Sequence, residues 1–371
     1  MQTKIVAVLA VAVLMLAGLA GLFLMSDDSE AKGDFVITDM RDREVEIPAE
    51  IDGIVALGAC SLRLLSYFDS IDKVIGVEDS GGHEREKTQH AFFHLATYRI
   101  AHPDLRDLPS IGDRHNTEAI IAANPSIVIA SMTDVSVLDQ LQSALAIPVV
   151  AIDADVEMNN MERFNLQLKM MGKVLGEETR AQELIDGIDS IFQDLDARAS
   201  LVTEPKTAYA GGMMYFGPAN LYRTTGDYLP FDLTGVTNVM PTNPANNKQP
   251  YLSDIETLIA EDPQYIFIDA ANEGLSKSGY EANKATLNAE VTAFAEEDVY
   301  ITLVYKYYGT NWENQLINTY FVGMTVYPDL YDDITLKDKA EEIWKLFFQV
   351  DLKYNNVVDI HSGVGSAQWF D

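Results

Sequence analysis

Residues 177–199 read EETRAQELIDGIDSIFQDLDARA. Leu184, Ile188, Ile191 and Leu195 recur at steps of four, three and four residues, drawing one apolar stripe along a helix whose remaining face is largely acidic or amide. At ~1.5 Å per residue this helix spans roughly 34 Å, about the diameter of a small domain. Gly176 closes the preceding helical pattern as a C′ glycine, and Pro205 stands beyond the far end. The helix is therefore a separate element, and the chain divides around it.

A chain of 371 residues with 47% hydrophobic content is long enough for two lobes with their own cores. Its formal net charge of −31 sets a field that repels phosphates, so nucleic acid and anionic lipid surfaces are not expected as broad partners. Cys60 is the single cysteine, which excludes an intrachain disulfide framework and a thiolate zinc cluster.

The first residues, Met1 to Lys4, make a short basic start, and Ile5 to Met25 is an uninterrupted apolar and small-residue run before an acidic linker. This is an export segment. It is long enough to span a bilayer, so an anchor on the outer face of the cytoplasmic membrane is expected, with cleavage near Ala31 the alternative. No cysteine follows for a bacterial-type lipid anchor. The expected organisation is 1–33 as signal or anchor and linker, 34–175 as one α/β lobe, 176–204 as the connecting helix, and 205–371 as a second α/β lobe carrying C-terminal helices.

Before the long helix, FVITDMRDREVEIP predicts a hairpin from Phe35, Ile51–Leu57 a buried strand, Ser61–Tyr67 a helix, and Lys73–Val77 and Ile147–Ile152 further strands. After it, strands are predicted at Thr207–Ala210, Tyr265–Asp269 and Val299–Val304, and helices at Ile255–Ala260, Trp312–Tyr327 and Leu336–Phe348, the last two packed on the second lobe. Strands alternating with helices imply mainly parallel sheets covered on both faces. Residues 116–125, NTEAIIAANP, align with 254–263, DIETLIAEDP, each before an apolar strand, a trace of related topology in the two lobes. The tail, Asp359–Asp371, is expected to be loosely ordered.

Two such lobes joined by one long helix behind an export segment resemble the substrate-binding proteins of ABC importers for iron-siderophores, haem, cobalamin and related metal chelates. The pieces that carry the resemblance are 98–103 (YRIAHP), 108–112 (LPSIG), 118–129 and 253–268; 306–311 (KYYGTN), leading to Tyr327-Pro328, is similar to archaeal iron-complex binding proteins. The resemblance implies a metal-chelate ligand between the lobes, an ABC permease with its ATPase as partners, a monomer, no cofactor and no catalysis. It also implies that Glu118 and Glu256, at matching places in the two repeats, dock to the permease. Each glutamate equally suits a first helical turn, Ser253-x-x-Glu256 reading as a capping box.

Parallel sheets bind ligands beyond the carboxyl ends of their strands, so facing lobes present two sets of loops to one cleft. The loops so placed hold Cys60, Ser61, Arg63, Tyr98, Arg99, Asp113, Arg114 and Met132 in the first lobe. In the second they hold Met214, Tyr215, Tyr222, Arg223, Lys306, Tyr307 and Tyr308. Arginine supplies a planar fork for carboxylate or phosphate, and tyrosine a flat apolar face with a polar tip. Each side chain also fits ordinary surface or lobe packing.

His83, His90 and His94, in HEREKTQHAFFH, would share a face if helical, and they raise the alternative of a free-metal-ion binder or a chelatase-like enzyme. All three fall in one lobe, which departs from a metal site shared between lobes, and a solvated surface is the expectation. No GxSxG, GxxxxGK[ST], HExxH or GxGxxG pattern supports an enzyme.

Overall fold

The computed structural model describes residues 34–78, 95–154, 156, 160–214, 219–243, 249–361 and 363–370. The expected hairpin is β1 (Phe35–Thr38) against β2 (Glu44–Ile47), antiparallel, with Val45 and Ile47 buried and Glu44 and Glu46 exposed. β3 (Ile54–Leu57), α1 (Ser61–Tyr67), β4 (Val74–Glu78), α2 (Thr97–Ala101), β5 (Ser110–Gly112) and α3 (Thr117–Ala123) follow. β6 (Ile127–Ala130), α4 (Val135–Leu145) and β7 (Val149–Ala151) complete an all-parallel sheet ordered β5-β4-β3-β6-β7. All four residues of β3 and of β6 are buried, the unalternating pattern of strands covered on both faces.

α5 (Met161–Leu175) ends at Gly176, whose φ of 73° is the left-handed conformation that glycine adopts without strain. α6 (Glu178–Ala199) is the long helix, and Leu184, Ile188, Ile191 and Leu195 are all buried on it. A Cβ added at Gly172 would stand 2.6 Å from that of Ala181, so a glycine is what lets α5 and α6 approach. Arg180 of α6 donates from Nε to the Tyr67 carbonyl at 2.9 Å and from a terminal nitrogen to that of Phe347 at 3.2 Å, which ties the connecting helix to chain from both halves.

The second half contributes β8 (Thr207–Gly211), β9 (Arg223–Thr224), α7 (Leu229–Asp232), β10 (Thr237–Asn238), β11 (Tyr251–Leu252), α8 (Ile255–Glu261) and β12 (Tyr265–Asp269). Three short helices, α9 (Glu273–Glu281), α10 (Lys284–Glu290) and α11 (Thr292–Ala295), lead to β13 (Val299–Thr302). α12 (Trp312–Val326), α13 (Leu336–Phe348), α14 (Tyr354–Val358) and β14 (Gly365–Ser366) end the chain. The sheet order is β10-β8-β12-β13-β14, parallel except for β14. The fold is α/β with two central, mainly parallel sheets, and the long helix lies between them in the chain.

The two aligned repeats adopt one local structure. Asn116 caps α3 by accepting from the Ala119 amide, Asp254 caps α8 by accepting from the Thr257 amide, and Asn124 and Asp262 end them in the left-handed conformation. The cap of α8 is therefore Asp254, where the sequence suggested Ser253.

Two expectations change at the C-terminus. α12 packs on α7 of the second half, but α13 also lies against α1 and α6, and α14 against α2, so these helices bridge the halves. The tail is ordered: β14 pairs with β13, and Trp369, 1% exposed, stacks on Tyr280 and donates to Glu273 Oε1 at 2.7 Å. A large ring with a hydrogen-bond partner outweighs the small residues around it.

Candidate functional site

In the first sheet the chain order reverses between β3 and β6, and in the second between β8 and β12. Beyond the carboxyl ends at such a switch point the connections part and leave a crevice. At the end of β3, Gly58 has φ 77° and a Cβ there would fall 2.3 Å from Ser131 Oγ, so only glycine lets the chain cross the end of β6. Cys60 is also left-handed, with φ 65°, at the N-cap of α1.

This turn aims Cys60 and Arg63 at the 307–311 segment of the other half. Arg63, with no exposed surface, donates to the carbonyls of Thr310 at 2.6 Å and Tyr307 at 3.2 Å, to Asn311 Oδ1, and to Cys60 Sγ at 3.0 Å. The Cys60 thiol faces the carbonyls of Ala154 at 3.3 Å and Tyr308 at 3.6 Å. Tyr67 donates to the buried carboxyl of Glu313, and Trp312 Nε1 to the Val156 carbonyl at 2.8 Å. Burial pushes the Glu313 carboxyl upward, with Arg63 and the Tyr67 hydrogen bond opposing. Burial works against the Arg63 charge as well, but Cys60 and Glu313 outweigh it and hold its pKa above the ordinary value.

Tyr98 lies beneath both guanidiniums, 5.0 Å from Arg63 and 5.5 Å from Arg99, and Arg99 Nε donates to its hydroxyl at 2.8 Å. Burial lowers the Arg99 guanidinium to about 10, Tyr307 opposing and Arg63 adding to the shift. It remains charged at neutral pH. Burial raises the Tyr98 phenol, which stays neutral. Tyr307 and Tyr308 meet edge to face at 4.8 Å. Cys60, Glu78, Tyr98, Arg99 and Tyr308 line a pocket of about 20 Å³, room for roughly one water.

Of the residues expected at the cleft, Cys60, Arg63, Tyr98, Arg99, Tyr307 and Tyr308 thus come together, although Arg63 directs its donors to protein acceptors. Ser61 is buried and donates to the Leu57 carbonyl at 2.6 Å, a helix-start contact. Asp113 accepts from the His115 amide at 2.8 Å within its turn. Arg114 Nε donates to Glu78 Oε1 at 2.8 Å. Met132 is buried in the first sheet's core, Met214 and Arg223 are half-buried, and Lys306 bridges Thr310 in the turn below Tyr308. Tyr222 accepts from Asn283 Nδ2 at 3.3 Å, away from the Cys60 pocket. Tyr215, His83, His90 and His94 lie outside the described residues.

The sequence reading missed Glu78 and Asn311. Glu78 is the last residue of β4 and would have been found by extending the strand-end rule one residue past Val77. Glu118 and Glu256 are both exposed in the first turns of α3 and α8. Among the described residues no helix is long and apolar enough to cross a membrane, and the expected export segment lies outside them.

Comparison with known proteins agrees with this fold. The molybdate-binding protein MolA of Haemophilus influenzae is 21% identical over 377 residues, covering 91% of this chain and 97% of that protein. A periplasmic solute-binding protein from Veillonella parvula superposes with a TM-score of 0.69 at 18% identity, covering 89% of this chain and 99% of that one. MolA bound to molybdate superposes with a TM-score of 0.66 at 19% identity, over 86% and 99% of the two chains. The model of the periplasmic binding protein family matches residues 54–302, more than half of the sequence, and with the fold above it establishes that this chain belongs to that family.

Proposed function

We propose that this chain is the extracytoplasmic solute-binding protein of an ABC importer, that it captures an anionic solute, a metal chelate or an oxoanion, at Cys60, Tyr98, Arg99 and Tyr308, and that it delivers the solute to a permease driven by its ATPase. The observation that carries this reading is Arg99: a buried guanidinium over a tyrosine ring, at the rim of a strand-end pocket. A cation so placed favours an anion. Metal chelates and metal oxoanions share that chemistry, and MolA, a relative, is a molybdate-binding protein. The chain itself makes and breaks no bond. In this reading residues 34–175 and 205–371 form the lobes, 176–204 is a stiff connector that limits closure to a small rocking motion, and 1–33 exports and tethers a monomer. Glu118 and Glu256 are the permease contacts.

A thermal-shift screen of residues 34–371 tests this against molybdate, tungstate, ferric siderophores, haem, cobalamin and free divalent metals, since a ligand that binds only the folded state raises the melting temperature. Stabilisation by an anionic solute, lost in Arg99→Gln, is expected. A response confined to free metal and abolished by replacing His83, His90 and His94 would establish the metal-ion alternative instead.

A further inference from the structure

Glu78 stands in the same small pocket as Arg99, and a carboxylate is an unexpected wall for a site that receives an anion. Its side chain is 3% exposed. Oε1 accepts from Arg114 Nε at 2.8 Å, whereas Oε2, also buried, has no hydrogen-bond donor among the described residues. A buried acceptor left unpaired is costly, and the cost is removed when a ligand brings the missing donor.

We propose that Glu78 is a specificity-determining residue of the cleft: Arg99 attracts the negative charge of the ligand, and Glu78 Oε2 accepts a hydrogen bond from an O–H or N–H that the ligand itself must carry. The proposal rests on the cleft reading above and narrows its ligand class. A protonated oxoanion, or a chelate with hydroxyl or amide hydrogens, satisfies both groups. A fully deprotonated oxoanion leaves Oε2 unpaired and sets like charges against each other in a space with little water to screen them. Sites built around such a bond reject analogues that lack the hydrogen far more strongly than apolar pockets reject a missing methylene. Arg114 holds the carboxylate by its other oxygen, so Glu78 is positioned before the ligand arrives.

The test compares tetrahedral anions of similar size at neutral pH by calorimetry on residues 34–371. Arsenate and phosphate carry hydroxyl groups; molybdate and sulfate carry none. Wild-type protein is expected to prefer the hydrogen-bearing pair by on the order of 100-fold. Glu78→Gln keeps an acceptor for Arg114 and presents an amide donor at the Oε2 position, so it is expected to erase or invert that preference. The wild-type comparison needs no variant and stands even if Glu78→Gln folds poorly. Molybdate bound as tightly as arsenate overturns the Glu78 assignment while leaving the anion cleft intact. So does an unchanged ratio in Glu78→Gln. If only a chelate binds, an affinity unmoved by Glu78→Gln overturns the assignment, and a loss of tenfold or more supports it. Failure of every anion and chelate to bind overturns the cleft reading and this proposal together.

Discussion

Arg63 of the first helix donates to the carbonyl of Thr310, 247 residues further along the chain, at 2.6 Å. The bond crosses from one half of the protein to the other, and the same guanidinium reaches the Tyr307 carbonyl and Asn311. Arginine's planar fork suits this convergence of acceptors, which a lysine ammonium cannot reproduce.

Arg63→Met should therefore destabilise the protein by about 4 kcal/mol, because it strands several buried acceptors and leaves Glu313 without its opposite charge. Arg63→Lys should recover only part of the loss. Urea unfolding checks both, and a cost below about 1 kcal/mol would show that the halves are not held by this contact.

Asp269 predicts a pH dependence of stability. It is 1% exposed at the end of β12, accepts from the amides of Ala271 and Tyr305, and burial nevertheless raises it to about 7. The folded state then holds a proton that the unfolded chain releases above its ordinary value of 3.8. The contribution is fully present below that value and is lost as pH rises through about 7. Stability should fall by up to about 1.4 kcal/mol per pH unit across that window from this group alone. Asp269→Asn should flatten that portion of the profile, and an unchanged slope would remove Asp269 from the account.

Glu118 and Glu256 are exposed, so Glu118→Lys together with Glu256→Lys should leave the fold and ligand affinity intact, at a cost of about 0.3–1 kcal/mol each for a cation in a first helical turn. Uptake through the cognate permease should be abolished. Transport assays in reconstituted vesicles decide this, and normal uptake by the double variant would withdraw the docking assignment.

The ordered tail predicts that Trp369→Ala costs about 3–5 kcal/mol, since it removes a buried ring stacked on Tyr280 and a hydrogen bond to Glu273. Thermal unfolding measures it. A change within about 0.5 kcal/mol would mean that the tail is loose in solution.

Much of the fold was legible because its signals are local. The apolar period of 184–195, the glycine at 176, and the matched helix and proline pattern of 116–125 and 254–263 each depend on residues within a turn or two, although the cap of the second repeat is Asp254 and not Ser253. Part of the candidate pocket was legible too: the strand-end rule reached Cys60, Tyr98, Arg99 and Tyr308, which line it. It did not distinguish a side chain lining that pocket from one directed at the other half, as with Arg63, nor foresee that Tyr222 turns toward Asn283.

By itself, then, the sequence determined two α/β halves around one long helix, an excess of negative charge and a set of loops at strand ends, because periodicity, capping and composition act over short distances. Only the tertiary structure decided which loop residues meet. The pairing of Arg63 with Thr310, the docking of Trp369 on Tyr280 and the burial of Glu78 beside Arg99 join residues far apart in the chain, and their positions follow from how the sheets and helices pack.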